Sequence, residues 1–339
     1  MMKQKTTLPH IAFFLLFAIF LILPFVNDSR TLLILLTQIF IFGILAMSYD
    51  ILLGYSGIVS FGHAMFFGIG AYTTAVMLKQ MENTMFIFVL SIVIGMLLAG
   101  LVSFLVGLLT LRLKSHFFAM LTLAFSGLFL VLAEKWRTVT YGNDGFTFRA
   151  PDMFRDRMTF YFFVLGSLVL IFLALYRFVN SPTGRILIAV RENEQRTKSL
   201  GYNTLHYKVI ASVVAGIVAS FAGSLYAVSL RFVNTSVMTM DITLDALLMT
   251  IIGGVGTLVG PLLGAAVIEY AQHTLSGLAR DYPIFERWII FFGILYILAV
   301  IFFPKGIIGT LRLLIWKWRG KVKNRKTQVA LPQEKERFE

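Results

Sequence analysis

The chain has 339 residues, 58% of them hydrophobic and 14% charged, with a mean hydropathy of +0.82, so lipid rather than water is the solvent for most of it. Its net charge of +13 sits in loops and after Pro304, the distribution of membrane topology beside an anionic leaflet rather than of nucleic-acid binding. Cysteine is absent, which excludes disulfides, thiolate metal sites and cysteine nucleophiles.

In chain order, the first apolar run is "IAFFLLFAIFLILPFV" after "MMKQK". It imitates a signal peptide, but "NDSR" follows it where a small-x-small cleavage site is needed, so it is read as a span over 10–26. Further spans are predicted over 31–53, 58–78, 85–111, 116–134, 159–180, 208–229, 241–258, 260–276 and 287–303. The expectation is an all-α polytopic membrane protein of about ten transmembrane or partly spanning helices. Residues 1–303 form a single transmembrane domain, and 304–339 a basic tail.

Ten crossings put both termini on one side. If that side is cytoplasmic, it holds twenty of the thirty Lys and Arg, including all six from Arg177 to Lys208 and ten from Lys305 onward. Both ends are therefore expected inside. The segment "KWRTVTYGNDGFTFRAPDMFRDRM" is then external despite its five basic residues.

The largest internal loop on this reading is "SPTGRILIAVRENEQRTKSLGYN", Ser181 to Asn203. Ser181 suits an N-cap, Pro182 the first helical position and Gly201 a left-handed C-terminal residue. The stretch reads as one helix or as two with a break. Glu192 with Arg196 and Glu194 with Lys198 have i, i+4 spacing, and Ile186, Ala189 and Val190 form an apolar stripe. An ordinary amphipathic connector accounts for these features equally well.

Two glycine-rich stretches interrupt spans. Gly54, Gly57, Gly62, Gly68 and Gly70 surround Ser60 and His63, and "GGVG" begins at Gly253. Broken helices in transporters mark pathways, so Gly57, Ser60, His63, Tyr72, Gly253, Gly254 and Gly256 are candidate lining residues, with helix packing and a structural histidine as the competing readings. In the span over 208–229, Ala211, Ala215, Ala219, Gly223 and Ala227 recur every fourth residue. Gly256, Gly260 and Gly264 repeat the spacing. Ala215, Ala219, Gly223, Gly260 and Gly264 read first as close helix packing.

Asp50 and Glu269 are the intramembrane acids, each either paired or neutral, or coupled to ion movement. Asp241 and Asp245 suit a helix N-terminus, with contact to a binding protein as the second reading. No HExxH, GxSxG or GxxxxGK[ST] occurs, so metalloprotease, serine hydrolase and P-loop readings lack their residues.

Four blocks, "DILLGYSGIVSFGHAMFFGIGAYTTAV", "YGNDGFTF", "GRILIAVRENEQRTKSLGYN" and "LLMTIIGGVGTLVGPLLGA", lie in order from Asp50 to Gly264. Together they resemble the LivM-type permease subunits of branched-chain amino acid ABC importers. "YGNDG" replaces a more glycine-rich form, and Ser220 stands where that family more often has an apolar or small residue. The resemblance implies a bacterial inner-membrane translocation subunit without catalysis of its own, binding no cofactor directly. It implies a LivH-like second permease, two cytoplasmic ATPase subunits that use ATP and Mg, and an extracytoplasmic substrate-binding protein. It makes 181–203 a cytoplasmic coupling segment, with Gly184, Arg185, Ala189, Arg191, Glu192, Asn193, Glu194 and Gly201 at the ATPase. A permease for urea, short amides or other amino acids, and an ion-coupled secondary transporter using Asp50 or Glu269, are the alternatives.

Overall fold

The computed structural model describes residues 29–113 and 115–281, with isolated positions at 20, 21, 24, 293, 297, 301 and 306–310. Apart from those positions, the spans expected over 10–26 and 287–303 and the basic tail lie outside the described residues.

Helix α1 (Arg30–Asp50) continues into a single π-helical turn (Ile51–Tyr55). It is followed by α2 (His63–Gln80), α3 (Met85–Thr110), α4 (Ser115–Lys135) and the short α5 (Arg137–Thr140). Next come α6 (Arg157–Asn180), α7 (Pro182–Glu192), α8 (Glu194–Ser199) and α9 (Thr204–Leu230). The described helices close with α10 (Met240–Gly253) and α11 (Val259–Asp281). Among the described residues, five segments are long and apolar enough to cross a bilayer: Arg30–Tyr55, Met85–Thr110, His116–Lys135, Arg157–Asn180 and Thr204–Leu230. At about 1.5 Å per residue, α10 spans only about 21 Å, short of the ~30 Å hydrocarbon core.

From Ile39 onward α1 is buried on all sides, enclosed by α6, α9, α10 and α11. A helix apolar all round belongs in the middle of a bundle. Helix α9 packs on α2 and α3 through small residues. A Cβ added to Gly223 would stand 1.9 Å from the Phe67 carbonyl oxygen, and one on Gly70 1.9 Å from that of Ser220. Ala215 and Ala219 are fully buried on α9, and the hydroxyls of Ser103 and Ser212 meet at 3.0 Å between α3 and α9. Where backbones come this close, dispersion contacts and hydroxyl bonds hold helices together without a hydrophobic driving force. The opposite faces of α3 and α4 expose Phe86, Leu97, Phe117 and Met120, a surface suited to acyl chains.

The loops gather at two poles. At one, the segment after α4 folds over the bundle: β1 (Phe146–Thr147) pairs antiparallel with β2 (Phe232–Val233), a small exception to the all-α expectation. Lys79 Nζ lies 3.5 Å from the Tyr141 ring centroid and 4.5 Å from that of Phe146, and Phe88 packs edge-on against Phe154. Arg231 donates to the Phe154 carbonyl at 3.1 Å, and Thr235 Oγ1 to Asn143 Oδ1 at 2.9 Å. Gly145, with φ +65°, supplies the bend before β1, where a Cβ would stand 2.3 Å from the Val233 carbonyl oxygen.

Two predicted spans are corrected, and the choice left open for 181–203 is decided. The span over 58–78 becomes a helix only at His63, because residues 57–60 turn around a left-handed Gly57 and are held by hydrogen bonds to neighbouring elements. The span over 241–258 stops at Gly253, after which Gly254, Gly256 and Leu258 all have positive φ. The segment 181–203 is two helices, since Asn193 leaves the helical region and its side chain caps α8 by accepting from Arg196 N at 2.9 Å. That break separates Glu192 from Arg196, which form no ion pair among the described residues, whereas Glu194 and Lys198 pair within α8 at 3.0 Å. The buried stripe of α7 is Gly184, Leu187 and Val190. Of the apolar stripe Ile186, Ala189 and Val190, only Val190 is on the buried face, with Ala189 exposed and Ile186 half-buried.

Candidate functional site

The pole opposite the β1–β2 pair brings together the end of α1, the α10–α11 break, the α3–α4 turn and the α7–α8 segment. Each part has a local cause. The π-helical turn ends in Tyr55, after which Ser56 Oγ donates to the Leu52 carbonyl at 2.8 Å and Ile58 N to the same oxygen at 2.9 Å. On the other side, α10 ends because Gly254 takes φ +126°, a conformation that residues with a Cβ rarely adopt. Thr257 then reaches back: its hydroxyl donates to the Gly254 carbonyl at 2.7 Å and accepts from Gly260 N at 3.0 Å, capping α11. Gly253, Gly260 and Gly264 let α10 and α11 touch backbone to backbone, since a Cβ on Gly264 would lie 1.8 Å from the Met249 carbonyl oxygen.

Asp50 joins the two breaks. Its fully buried carboxylate accepts from Gly256 N at 2.7 Å and from Leu258 N at 3.3 Å, across more than two hundred residues of sequence. Backbone N–H groups freed by the helix break thus replace the water this carboxylate has lost. Gly54 closes the gap: a Cβ there would stand 2.0 Å from Asp50 Oδ1 and 2.5 Å from Gly256 N.

The α7–α8 segment completes the junction. Ser181 caps α7 by accepting from Gly184 N at 3.3 Å, with Pro182 next to it in the first turn. Gly184 is pressed against the preceding corner, where a Cβ would be 2.1 Å from the Val179 carbonyl oxygen. Leu187 and Val190 bury into the bundle, while Arg185, Ile188, Ala189, Glu192 and Asn193 face outward. Arg191 alone reaches across: its guanidinium donates to the Gly54 carbonyl and acts electrostatically on Asp50. Glu194 anchors α8 to α9, accepting from Lys208 Nζ at 2.7 Å and Thr204 Oγ1 at 3.0 Å. Burial alone would raise its carboxyl, but hydrogen bonds from Lys208 and Lys198 outweigh this and hold it down at about 2. Gly201, with φ +89°, ends the turn that leads back into α9. A cleft of about 400 Å³ opens beside the segment, lined by Gly57, Ile58, Leu111, Val190, Arg191 and Glu194.

The other sequence candidates fall elsewhere. His63 begins α2, fully buried, with Nε2 2.7 Å from Ser48 Oγ and its ring edge-on to Tyr49. Ser48 Oγ also lies 2.6 Å from the Leu45 carbonyl, and among the described residues His63 Nδ1 has no hydrogen-bond partner. Ser60 is bound into the same knot, its carbonyl accepting from Tyr49 Oη at 2.9 Å. The Tyr72 hydroxyl is buried, with no hydrogen-bond partner among the described residues. Glu269 is buried in α11 within electrostatic range of Asp245, and Tyr226 feels both, far along the sequence from the Asp50 junction. Sequence reasoning missed Ser48, Thr243, which accepts from Ala64 N at 2.9 Å, and Thr257; only the proximity of Asp50 to "GYSG" hinted that the acid belonged to a helix break. Among the described residues no group of His, Asp or Glu is arranged to hold a metal ion. The junction sets an exposed helix face beside two interrupted helices.

Comparison with known proteins gives this geometry its context. Residues 31–300 match a family described as branched-chain amino acid transport system / permease component. The high-affinity branched-chain amino acid transport system permease protein LivM of Salmonella typhimurium is 27% identical over 310 residues, covering 81% of this chain and 69% of that protein. The protein of that name from Escherichia coli is 26% identical over 307 residues, 82% of this chain and 69% of the relative. A probable LivM of Methanocaldococcus jannaschii is 26% identical over 159 residues, 44% of this chain and 46% of that protein. No solved structure is significantly similar.

Proposed function

The chain belongs to the family of permease components of branched-chain amino acid transport systems, and we propose that it is the LivM-like half of an ATP-driven importer that carries branched-chain amino acids into the cytoplasm. It is a multi-pass membrane protein and not an enzyme. The pole bearing α7 and α8 is the cytoplasmic one, which agrees with twenty of thirty Lys and Arg falling on that side, and both termini lie there.

One observation carries the reading: α7 is two-faced, with Leu187 and Val190 buried in the bundle and Arg185, Ile188, Ala189 and Glu192 free. The free face docks in a groove of an ATPase subunit, and the buried face passes the displacement to the interrupted helices. ATP and Mg are used by two such ATPase subunits. A LivH-like permease completes the pathway, and a binding protein delivers substrate at the opposite pole, where β1 and β2 meet.

Proteoliposomes holding the assembled complex, supplied with ATP and labelled leucine, test this. ATP-dependent uptake that unlabelled valine or isoleucine suppresses is expected. Uptake that continues without the ATPase subunits overturns the importer, and competition by urea or short amides in place of leucine overturns the substrate class. Because the chain has no cysteine, Ala189→Cys gives a single-site crosslink to a cysteine placed in the ATPase groove.

A further inference from the structure

Arg191 is positioned differently from the rest of the outward-facing segment. It sits in the last turn of α7, just before the break at Asn193, and although the residue stays exposed its guanidinium reaches back to the Gly54 carbonyl. The aliphatic stem passes Gly57, where an added Cβ would stand 3.0 Å from Arg191 Cγ. The guanidinium arrives between Gly54, whose carbonyl it binds, and Gly256, where a Cβ would stand 3.1 Å from Nη1. Gly57 and Gly256 therefore line a corridor that a side chain on either would narrow. At its end lies Asp50, which holds Gly256 and Leu258 by their N–H groups.

We propose that Arg191 is a transmission pin: carried on the cytoplasmic segment, its guanidinium clamps the π-helical end of α1 and the α10–α11 break together over Asp50, and displacement of α7 withdraws it. This deepens the importer reading above and rests on it. The chemistry suits the task. A planar guanidinium directs several N–H donors at fixed angles, so it can serve a carbonyl and face a carboxylate at once, which a lysine ammonium on a flexible stem does less well. Asp50 has no other cation acting on it among the described residues, so withdrawal of Arg191 leaves a buried carboxylate held by backbone N–H groups alone. A buried carboxylate that loses its cation takes up a proton, admits water or lets the junction open, and each outcome changes what holds the two breaks together. Both segments joined by the pin already depart from α-helical geometry, through the π-turn on one side and the left-handed Gly254, Gly256 and Leu258 on the other. Such breaks absorb a displacement that a continuous helix would resist. Arg191 is thus a positioning residue for transport and not a docking contact.

The test compares Arg191→Met, Arg191→Lys and Asp50→Asn in the complete complex, reading co-purification of the ATPase subunits, ATP hydrolysis and leucine uptake separately. Arg191→Met is expected to keep its ATPase subunits and its hydrolysis while uptake per ATP falls about five- to 150-fold, the usual span of a coupling free energy. Arg191→Lys should fall between it and the parent, and Asp50→Asn combined with Arg191→Met should cost no more than the larger single effect. Normal coupling in Arg191→Met, release of the ATPase subunits from it, or additive losses in the double variant overturn the pin. If Arg191→Met does not assemble, Arg191→Lys and Asp50→Asn give the same comparison. Failure of the parent complex to import with ATP would strike the importer reading instead, independently of these variants.

Discussion

The two poles of the bundle are built from different materials. The pole with β1 and β2 is a clasp of aromatic rings, a strand pair and one lysine under two rings, with contacts spread over several elements. At the opposite pole, α1 meets the α10–α11 break through one buried carboxylate, one arginine and a few glycines. Distributed contacts degrade gradually when one is lost, whereas a junction with one pin changes state. The clasp therefore suits a surface that must keep its shape for an incoming partner, and the pinned junction one that must switch.

Replacing one residue at a time separates the poles. The largest effect is expected from Gly54→Ala, whose methyl group would occupy the space of Asp50 Oδ1. Overpacking against backbone should cost about 3 kcal/mol and lower the thermal midpoint in detergent. At the clasp, Gly145→Ala meets both an unfavourable φ and the Val233 carbonyl. A loss of about 1–2 kcal/mol is expected there, with the ratio of uptake to ATP hydrolysis unchanged. An altered ratio would erase the distinction between the poles. Lys79→Met removes the cation above Tyr141 and Phe146, and should cost about 0.5–1 kcal/mol by thermal unfolding.

The smallest effect belongs to Glu194. Its folded-state carboxyl lies below the ordinary value, at about 2 against 4.5. The contribution of its lysine pairs is therefore complete above about pH 4.5 and is lost as pH falls toward 2. Because the carboxylate is partly exposed, solvent screens these pairs, and Glu194→Gln should shift acid stability only slightly while removing that part of the pH dependence.

What the sequence revealed follows from the range of each interaction. Ser181, Pro182 and Gly201 could be placed because caps and left-handed ends act within a few residues, and the interruption at "GGVG" because glycine carries its own conformational signature. Apolar runs located the long helices. The start of α2 was misplaced because Ile58 and Phe61 are apolar yet their N–H groups bond to the Leu52 carbonyl and the Thr122 hydroxyl, contacts no periodicity encodes. The break at Asn193 was undecided because an asparagine is acceptable both within a polar helix and as the cap of the next. The union of Asp50 with Gly256 and Leu258 depends on tertiary packing between distant segments, and Asp50 by itself read only as an expensive acid.

The near-contact of α9 with α2 has a kinematic consequence. With Gly223 against the Phe67 carbonyl and Gly70 against that of Ser220, the two backbones are separated by little more than hydrogen atoms. Neither helix can roll or ratchet past the other without collision, so α2 and α9 share one set of rigid-body coordinates. The degrees of freedom left for a transport cycle are then few and lie where the helices are interrupted, which favours discrete, all-or-none rearrangement over gradual deformation.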